Sequence, residues 1–200
     1  MRTLVTIAAA IALCATATAA EIPLLNADIE TNSSGMFGAI DNWGPSGGWA
    51  DHAGFPAGNN STLGLYFGFY SAGGTETVGQ VTDATFAPET EYVFSGWAIG
   101  GGNRVGTVPY QIGYDDGSGN FIALATATHE FTGEPDWTPM AGVAYTTGIS
   151  GPEMGQNIWV RLGDGAAGGA DDIWFDNFSL TPEPASLALL AMGFFVLRRR

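Results

Sequence analysis

The chain has 200 residues, room for one domain with a hydrophobic core plus processing segments. It has 20 Asp and Glu against six basic residues, all Arg, and between Glu21 and Thr181 stand 19 acids and two bases, Arg104 and Arg161; such a field repels phosphate backbones and excludes nucleic acid as a partner. Thirty Gly with 13% charged residues argue against a helical bundle, and 12% aromatic residues against a disordered acidic tail.

Met1 to Ala20 reads as a secretory signal peptide. One charge at Arg2 is followed by an apolar run, Leu4 to Ala15, and by small residues Ala17 to Ala20 where signal peptidase would cut. Cys14, the only cysteine, follows Leu13 rather than a small residue, which argues against lipidation. A chain released near Glu21 therefore has neither a disulfide nor thiolate chemistry.

From Glu21 to about Leu180 the pattern is short alternating runs divided by Gly, Asn, Asp and Pro, with no stretch at helical period. The expected strands are Ile22–Leu25, Leu63–Tyr70, Thr77–Val81, Tyr92–Ile99, Pro109–Tyr114, Phe121–Thr128, Met140–Tyr145, Ile158–Leu162 and Ile173–Leu180. These are too many for one twisted sheet of this size, so the expectation is an all-β fold of two packed antiparallel sheets over residues 21–181. Asp115 to Asn120 reads as a hairpin loop. Trp43 to Ser61, with Trp49, Asp51 and His52, is the longest stretch without an expected strand.

The last residues run Pro182, Glu183, Pro184, an apolar stretch from Ala185 to Leu197, then Arg198, Arg199 and Arg200. The prolines are expected to break the preceding strand and leave the tripeptide extended and accessible. As a helix the apolar stretch is about 20 Å long, short of a hydrocarbon core of about 30 Å, and would span only with thinning and snorkelling of the arginines. The cationic tail stays cytoplasmic by the positive-inside rule. A buried helix would not end in three arginines, and a plain tail anchor would not need the leader. Residues 182–200 resemble the PEP-CTERM sorting signal recognised by the membrane protease exosortase. The resemblance implies export, transient anchoring in the cytoplasmic membrane by the C-terminal helix, cleavage near Pro184, and transfer to the cell surface or extracellular matrix, commonly alongside exopolysaccharide production.

A second resemblance covers the domain. Ile22 to Glu30 followed by a Gly/Pro-rich loop with a tryptophan, Tyr92 to Trp97, and Ile173 to Leu180 are similar to the opening, middle and closing strands of carbohydrate-binding-module-like jelly rolls of galactose-binding-like type. They are similar as well to Stig cyclases, cyanobacterial enzymes of indole alkaloid assembly on this fold. In the modules the first and last strands lie together and a carboxylate from each binds a structural Ca²⁺. The resemblance places that role on Glu30 and Asp176, with Asp28 and Asp51 as further candidates; hard oxygen ligands in an acidic, Gly-rich domain suit this ion.

If Ile158, Val160 and Leu162 face the core, Trp159 and Arg161 share the opposite face, an aromatic platform beside a polar group as a sugar ring requires. Trp49 would project from the long loop, and Tyr66 and Tyr70 are further candidates. Trp97 and Trp174 are expected in the core, and His129 exposed at a strand end. Asp164, Asp171 and Asp172 lack calcium-loop spacing and read as a solvated loop. Two histidines without cysteine do not make a typical zinc site, and no nucleophile elbow, phosphate loop or dinucleotide fingerprint occurs. A Stig-like cyclase needs a carboxylic acid in an apolar cavity, and no residue matches one. The expectation is an exported, non-catalytic, glycan-associated β-sandwich processed by signal peptidase and exosortase, with extracellular polysaccharide as its partner. The alternatives are an enzyme on the same scaffold and a purely structural surface protein.

Overall fold

The computed structural model describes residues 20–28, 41–44, 48–51, 66–69, 77–100, 105–133, 136–163, 167–168 and 173–184; for 48–51, 66–69, 100, 167–168, 173–174 and 184 only the backbone is described. The leader, Glu30, His52, Tyr70, Arg104, Asp164, Asp171, Asp172, Ala185–Leu197 and the terminal arginines lie outside these residues, as do the side chains of Trp49, Asp51, Tyr66 and Trp174. Among the described residues no helix is long and apolar enough to cross a membrane.

The strands in chain order are β1 (Gly48–Asp51), β2 (Tyr66–Phe69), β3 (Thr77–Thr85), β4 (Thr90–Gly100), β5 (Val105–Asp115), β6 (Phe121–Thr132), β7 (Thr138–Pro139), β8 (Val143–Thr146), β9 (Asn157–Gly163), β10 (Ala167–Gly168) and β11 (Ile173–Pro184). One sheet has the order β1-β2-β11-β4-β7, with β8 also on β4; the other has β10-β5-β9-β3, with β6 on β5. The strand pairings are antiparallel and the two sheets enclose one core, as the composition implies.

Aromatic rings dominate that core. Phe94 and Phe178 stack at 5.6 Å, Phe131 meets Phe175 edge-on at 5.9 Å, and Phe86 meets Tyr92 at 5.1 Å. Tyr110 of β5 donates its hydroxyl hydrogen bond to the Ala141 carbonyl between β7 and β8, tying the sheets together. Its pKa is raised because burial disfavours the phenolate. At the β8 corner Tyr145 donates to Glu153 Oε1 at 2.9 Å; desolvation first, then this carboxylate, push Tyr145 up to about 12.

Several expectations are corrected. Ile22–Leu25 is not a strand: Ile22 makes one bridge to Leu180, and the chain turns at Leu25–Asp28. Trp49 lies in β1, which forms an antiparallel pair with β2, so the long loop contains a strand. Trp43, at the start of that loop, is buried at 2% exposure, whereas Trp97, expected in the core, is only partly buried. The Trp43 ring lies 4.7 Å from that of Phe178, and its N–H is shared between the carbonyls of Leu25 and Asn26, both at 3.1 Å. His129 turns inward instead of outward. It pairs with buried Val108 and its ring sits 4.5 Å from that of Phe131, because an extra residue at Leu124 shifts the phase of β6. Pro182 and Pro184 do not end the last strand, which pairs with β4 as far as Pro184 opposite Thr90.

The Asp115–Asn120 loop is a hydrogen-bonded turn. Asp115 Oδ1 accepts from the N–H groups of Gly117 and Gly119, and Asp116 Oδ1 from those of Ser118 and Asn120. The Asn120 side chain, first among several donors, lowers the Asp116 pKa.

Gln80 fixes the N-terminal segment to β3. Its Oε1 accepts from Leu25 N at 2.7 Å, and its Nε2 donates to Leu25 O at 2.8 Å and Asn42 O at 3.0 Å. Gln80→Leu keeps the volume but strips backbone groups of partners, and we expect a loss of about 2–3 kcal/mol in urea unfolding. An unchanged midpoint would show that Gln80 does not anchor the segment.

Candidate functional site

Two rungs cross the outer face of the second sheet. In the first, Ala123, Gly113, Trp159 and Val81 are neighbours on β6, β5, β9 and β3; in the second, Thr126, Gln111, Arg161 and Gly79. The alternation of β9 produces this placement: Ile158, Val160 and Leu162 are buried in the core, so Trp159 and Arg161 stand on the other side, half-buried. The expected pairing of these two residues on one face is what the structure shows.

Sequence reasoning missed the residues that hold them. Arg161 donates through Nε and Nη2 to Gln111 Oε1, at 3.0 and 2.8 Å, and Gln111 Nε2 donates to Thr126 Oγ1 at 3.1 Å. The guanidinium lies 4.0 Å above the centre of the Phe121 ring, and the same ring meets Trp159 edge-on at 5.3 Å. A cation over an aromatic face contributes about 0.5–2 kcal/mol, depending on exposure. Phe121 therefore clamps both residues. The signal for it was the hairpin, since Phe121 pairs with Asp115 and so shares the outer face with Gly113.

Phe121 reaches Trp159 because Gly113 lies beneath it: a Cβ at Gly113 would stand 2.2 Å from Ile122 O and 2.6 Å from the Phe121 ring. Trp159 Nε1 is buried with no hydrogen-bond partner among the described residues, 2.9 Å from where a Cβ on Gly79 would be. The indole thus turns its polar edge to the sheet. Val81, 48% exposed, continues the apolar strip. The assembly is a rigid patch with an aromatic edge, a fixed guanidinium and amide and hydroxyl groups, suited to a flat polar ligand with apolar faces.

The calcium candidates lie elsewhere. Asp176 faces away from the core beside its partner Trp97, yet is 0% exposed. It opens a bulge that ends at Ser179, with Asn177 at φ 48° and its N–H donating to Asp176 Oδ1 at 2.6 Å. At this bulge the N-terminal turn closes on the last strand, with Phe178 N donating to Ala27 O at 2.9 Å. Asp28, the next residue, is exposed. The described residues thus supply one covered carboxylate, Asp176, where the first and last described segments meet, a hard oxygen of the kind a calcium ion takes among its six to eight ligands. Among the described residues no three acidic, His or Cys side chains cluster as a metal site.

A cleft of about 150 Å³ between Ile22, Leu25, Gln80 and Val81–Ala84 has Asp83 on its lining, but Asp83 is exposed and the volume is below the roughly 300 Å³ of a small-molecule site. This cleft does not supply a buried acid.

Gly113→Ala should displace Phe121 and release Trp159, red-shifting its emission, at a cost of about 1–3 kcal/mol in stability. Unchanged fluorescence and stability would mean that the clamp is not formed.

Residues 180–200 match the family model described as the PEP-CTERM protein-sorting motif. No curated protein matches the sequence. Among solved structures, the chain is similar to the Stig cyclase Fisc from Fischerella sp. TAU in complex with (3Z)-3-(1-methyl-2-pyrrolidinylidene)-3H-indole, at TM-score 0.66 and 20% identity over 84% of this chain and 100% of that one. It is also similar to the CBM22-1 xylan-binding domain from Paenibacillus barcinonensis, at 0.56 and 14% over 84% and 97%. A CBM4 structure aligns at 0.50 and 15% over 80% and 100%. At these identities the likeness is one of fold. The chain carries the sorting motif of exosortase-directed surface proteins behind a β-sandwich with the jelly-roll fold shared by Stig cyclases and carbohydrate-binding modules.

Proposed function

We propose that this protein is a non-catalytic, polysaccharide-associated module displayed at the cell surface or in the extracellular matrix, with its ligand lying across the outer face of the second sheet. The observation that carries the reading is the clamped constellation of Trp159, Arg161, Gln111 and Phe121. It sits on three adjacent strands, so little side-chain freedom is lost on binding. Its chemistry matches a sugar ring, whose apolar face takes the aromatic edge and whose hydroxyls take the amide, guanidinium and Thr126 hydroxyl. The net negative charge of the chain favours a neutral glycan over a polyanionic one.

The sorting motif supports the place of action. In this reading signal peptidase removes the leader, the C-terminal apolar stretch holds the chain in the cytoplasmic membrane, and exosortase then acts near Pro184. A structural calcium ion on Asp176, with Asp28 and Glu30, belongs to the same reading; bound there, it supplies positive charge to a covered carboxylate and links the N-terminal turn to the last strand. The ion serves stability, since Asp176 is on the opposite sheet from the proposed ligand face.

A glycan array on the exported protein should show binding that Trp159→Ala weakens by about tenfold or more, from the loss of roughly 1.5 kcal/mol of aromatic contact. Silence across neutral glycans would overturn the binding role and favour a structural one, and turnover of a bound compound would favour an enzyme. Excess EGTA should lower the melting temperature by several degrees; an identical melting curve would remove calcium from the account.

A further inference from the structure

The Pro-Glu-Pro tripeptide is built into the domain. In the sheet register Thr181 faces Val93, Pro182 faces Tyr92, Glu183 faces Glu91 and Pro184 faces Thr90. Three hydrogen bonds fix which way the backbone groups point. Ile22 N donates to Leu180 O at 2.8 Å, so Leu180 turns its polar groups away from β4. On the other side Thr90 accepts from Thr147 N at 3.0 Å and donates to Thr147 Oγ1 at 2.9 Å, so Thr90 turns away from β11. In an antiparallel ladder direction alternates residue by residue. Pro182 and Pro184 therefore stand where an N–H would point outward, and Thr181 and Glu183 stand where an N–H points at β4. The prolines cost this ladder nothing, and on the side away from β4 they present no donor to another strand.

A peptidase binds its substrate as an extended segment along both backbone edges, and a segment paired with β4 has one edge taken. We propose that the domain masks its own sorting site: exosortase gains the tripeptide only when Thr181–Pro184 peels from β4, so the stability of the last rungs sets the rate of processing. This rests on the sorting reading of the motif and adds the control of its access. The step is conformational, and no bond within the domain is made or broken by it.

The tip is arranged to open. Glu183 and Glu91 are direct cross-strand neighbours on the outer face, and like charges so placed destabilise the pair. One rung inward the contact changes character: Pro182, partly buried, is register partner to Tyr92, 2% exposed, whose hydroxyl accepts from Ala87 N at 2.7 Å, and then Leu180 to Phe94, both 0% exposed. Opening thus stops where the core begins.

The test follows processing of the full chain in membranes that contain an exosortase. Val93→Cys with Thr181→Cys places a disulfide across a hydrogen-bonded rung whose Cα separation of about 5.5 Å suits the bond, outside the tripeptide itself. The only other cysteine is Cys14, in the leader. We expect the oxidised variant to be processed at least about thirtyfold more slowly than the same variant reduced. Glu91→Lys, which turns the repulsion into an ion pair, should slow processing about two- to fivefold. A variant that merely misfolds would be processed faster, the opposite sign. Equal rates for oxidised and reduced protein, with the unaltered chain processed normally, would overturn the masking. No processing of the unaltered chain would overturn the sorting reading and the masking with it.

Discussion

The ladder between β4 and β11 is the constraint from which the other features follow. It runs from Ile173 opposite Gly100 to Pro184 opposite Thr90, interrupted once, between Asp176 and Ser179. The interruption changes the phase of the strand. Phe175 faces the core before it and Phe178 and Leu180 after it, while Asp176 is turned to the outer face. An unbroken alternation would have placed Asp176, Phe178 and Leu180 together, with a carboxylate among the core rings, a costly arrangement. The same bulge receives the N-terminal turn at Ala27, which brings Asp28 into the region of Asp176 and lets Trp43 close over Phe178. Beyond it the restored register carries the strand into the sorting tripeptide.

The two sheets divide the work. The first holds the last described strand, the covered carboxylate and the Pro-Glu-Pro tripeptide; the second presents the clamped aromatic and polar patch. Tyr110, bonded to Ala141, links the sheets through the core. A strand released at the first sheet need not disturb the face of the second, because the rungs of Trp159 and Arg161 are made with β3 and β5.

Much of the architecture was legible because one-sided burial writes a period of two into a strand. β9 is the clear case: Ile158, Val160 and Leu162 alternate with Trp159 and Arg161, and the faces follow directly. Where a bulge intervenes the inference fails. Leu124 adds a residue to β6, so outward positions run Phe121 and Ala123 before it, then Thr126, Thr128 and Glu130 after it, and His129 goes inward. Trp43 was missed for another reason: it is held by two carbonyls and a ring, with no periodic run around it. The prolines were misread as breakers because the harm of a proline depends on which edge its missing N–H would have faced, and that is a property of the sheet. Gln111 and Phe121 reach the site through pairing with neighbouring strands, information that no single segment contains.

The central claim is that folding of the sandwich and display of its sorting site are one structural matter, since the last strand serves both. Hydrogen exchange tests this directly. Between Thr181 and Pro184 the only backbone N–H groups belong to Thr181 and Glu183, the two that point at β4. In the full chain a peptide covering these residues should exchange more slowly than an unstructured one by about tenfold or more, with protection falling from Thr181 to Glu183. Exchange of both amides at the rate of free peptide would contradict the account, because the tripeptide would then hang clear of the domain.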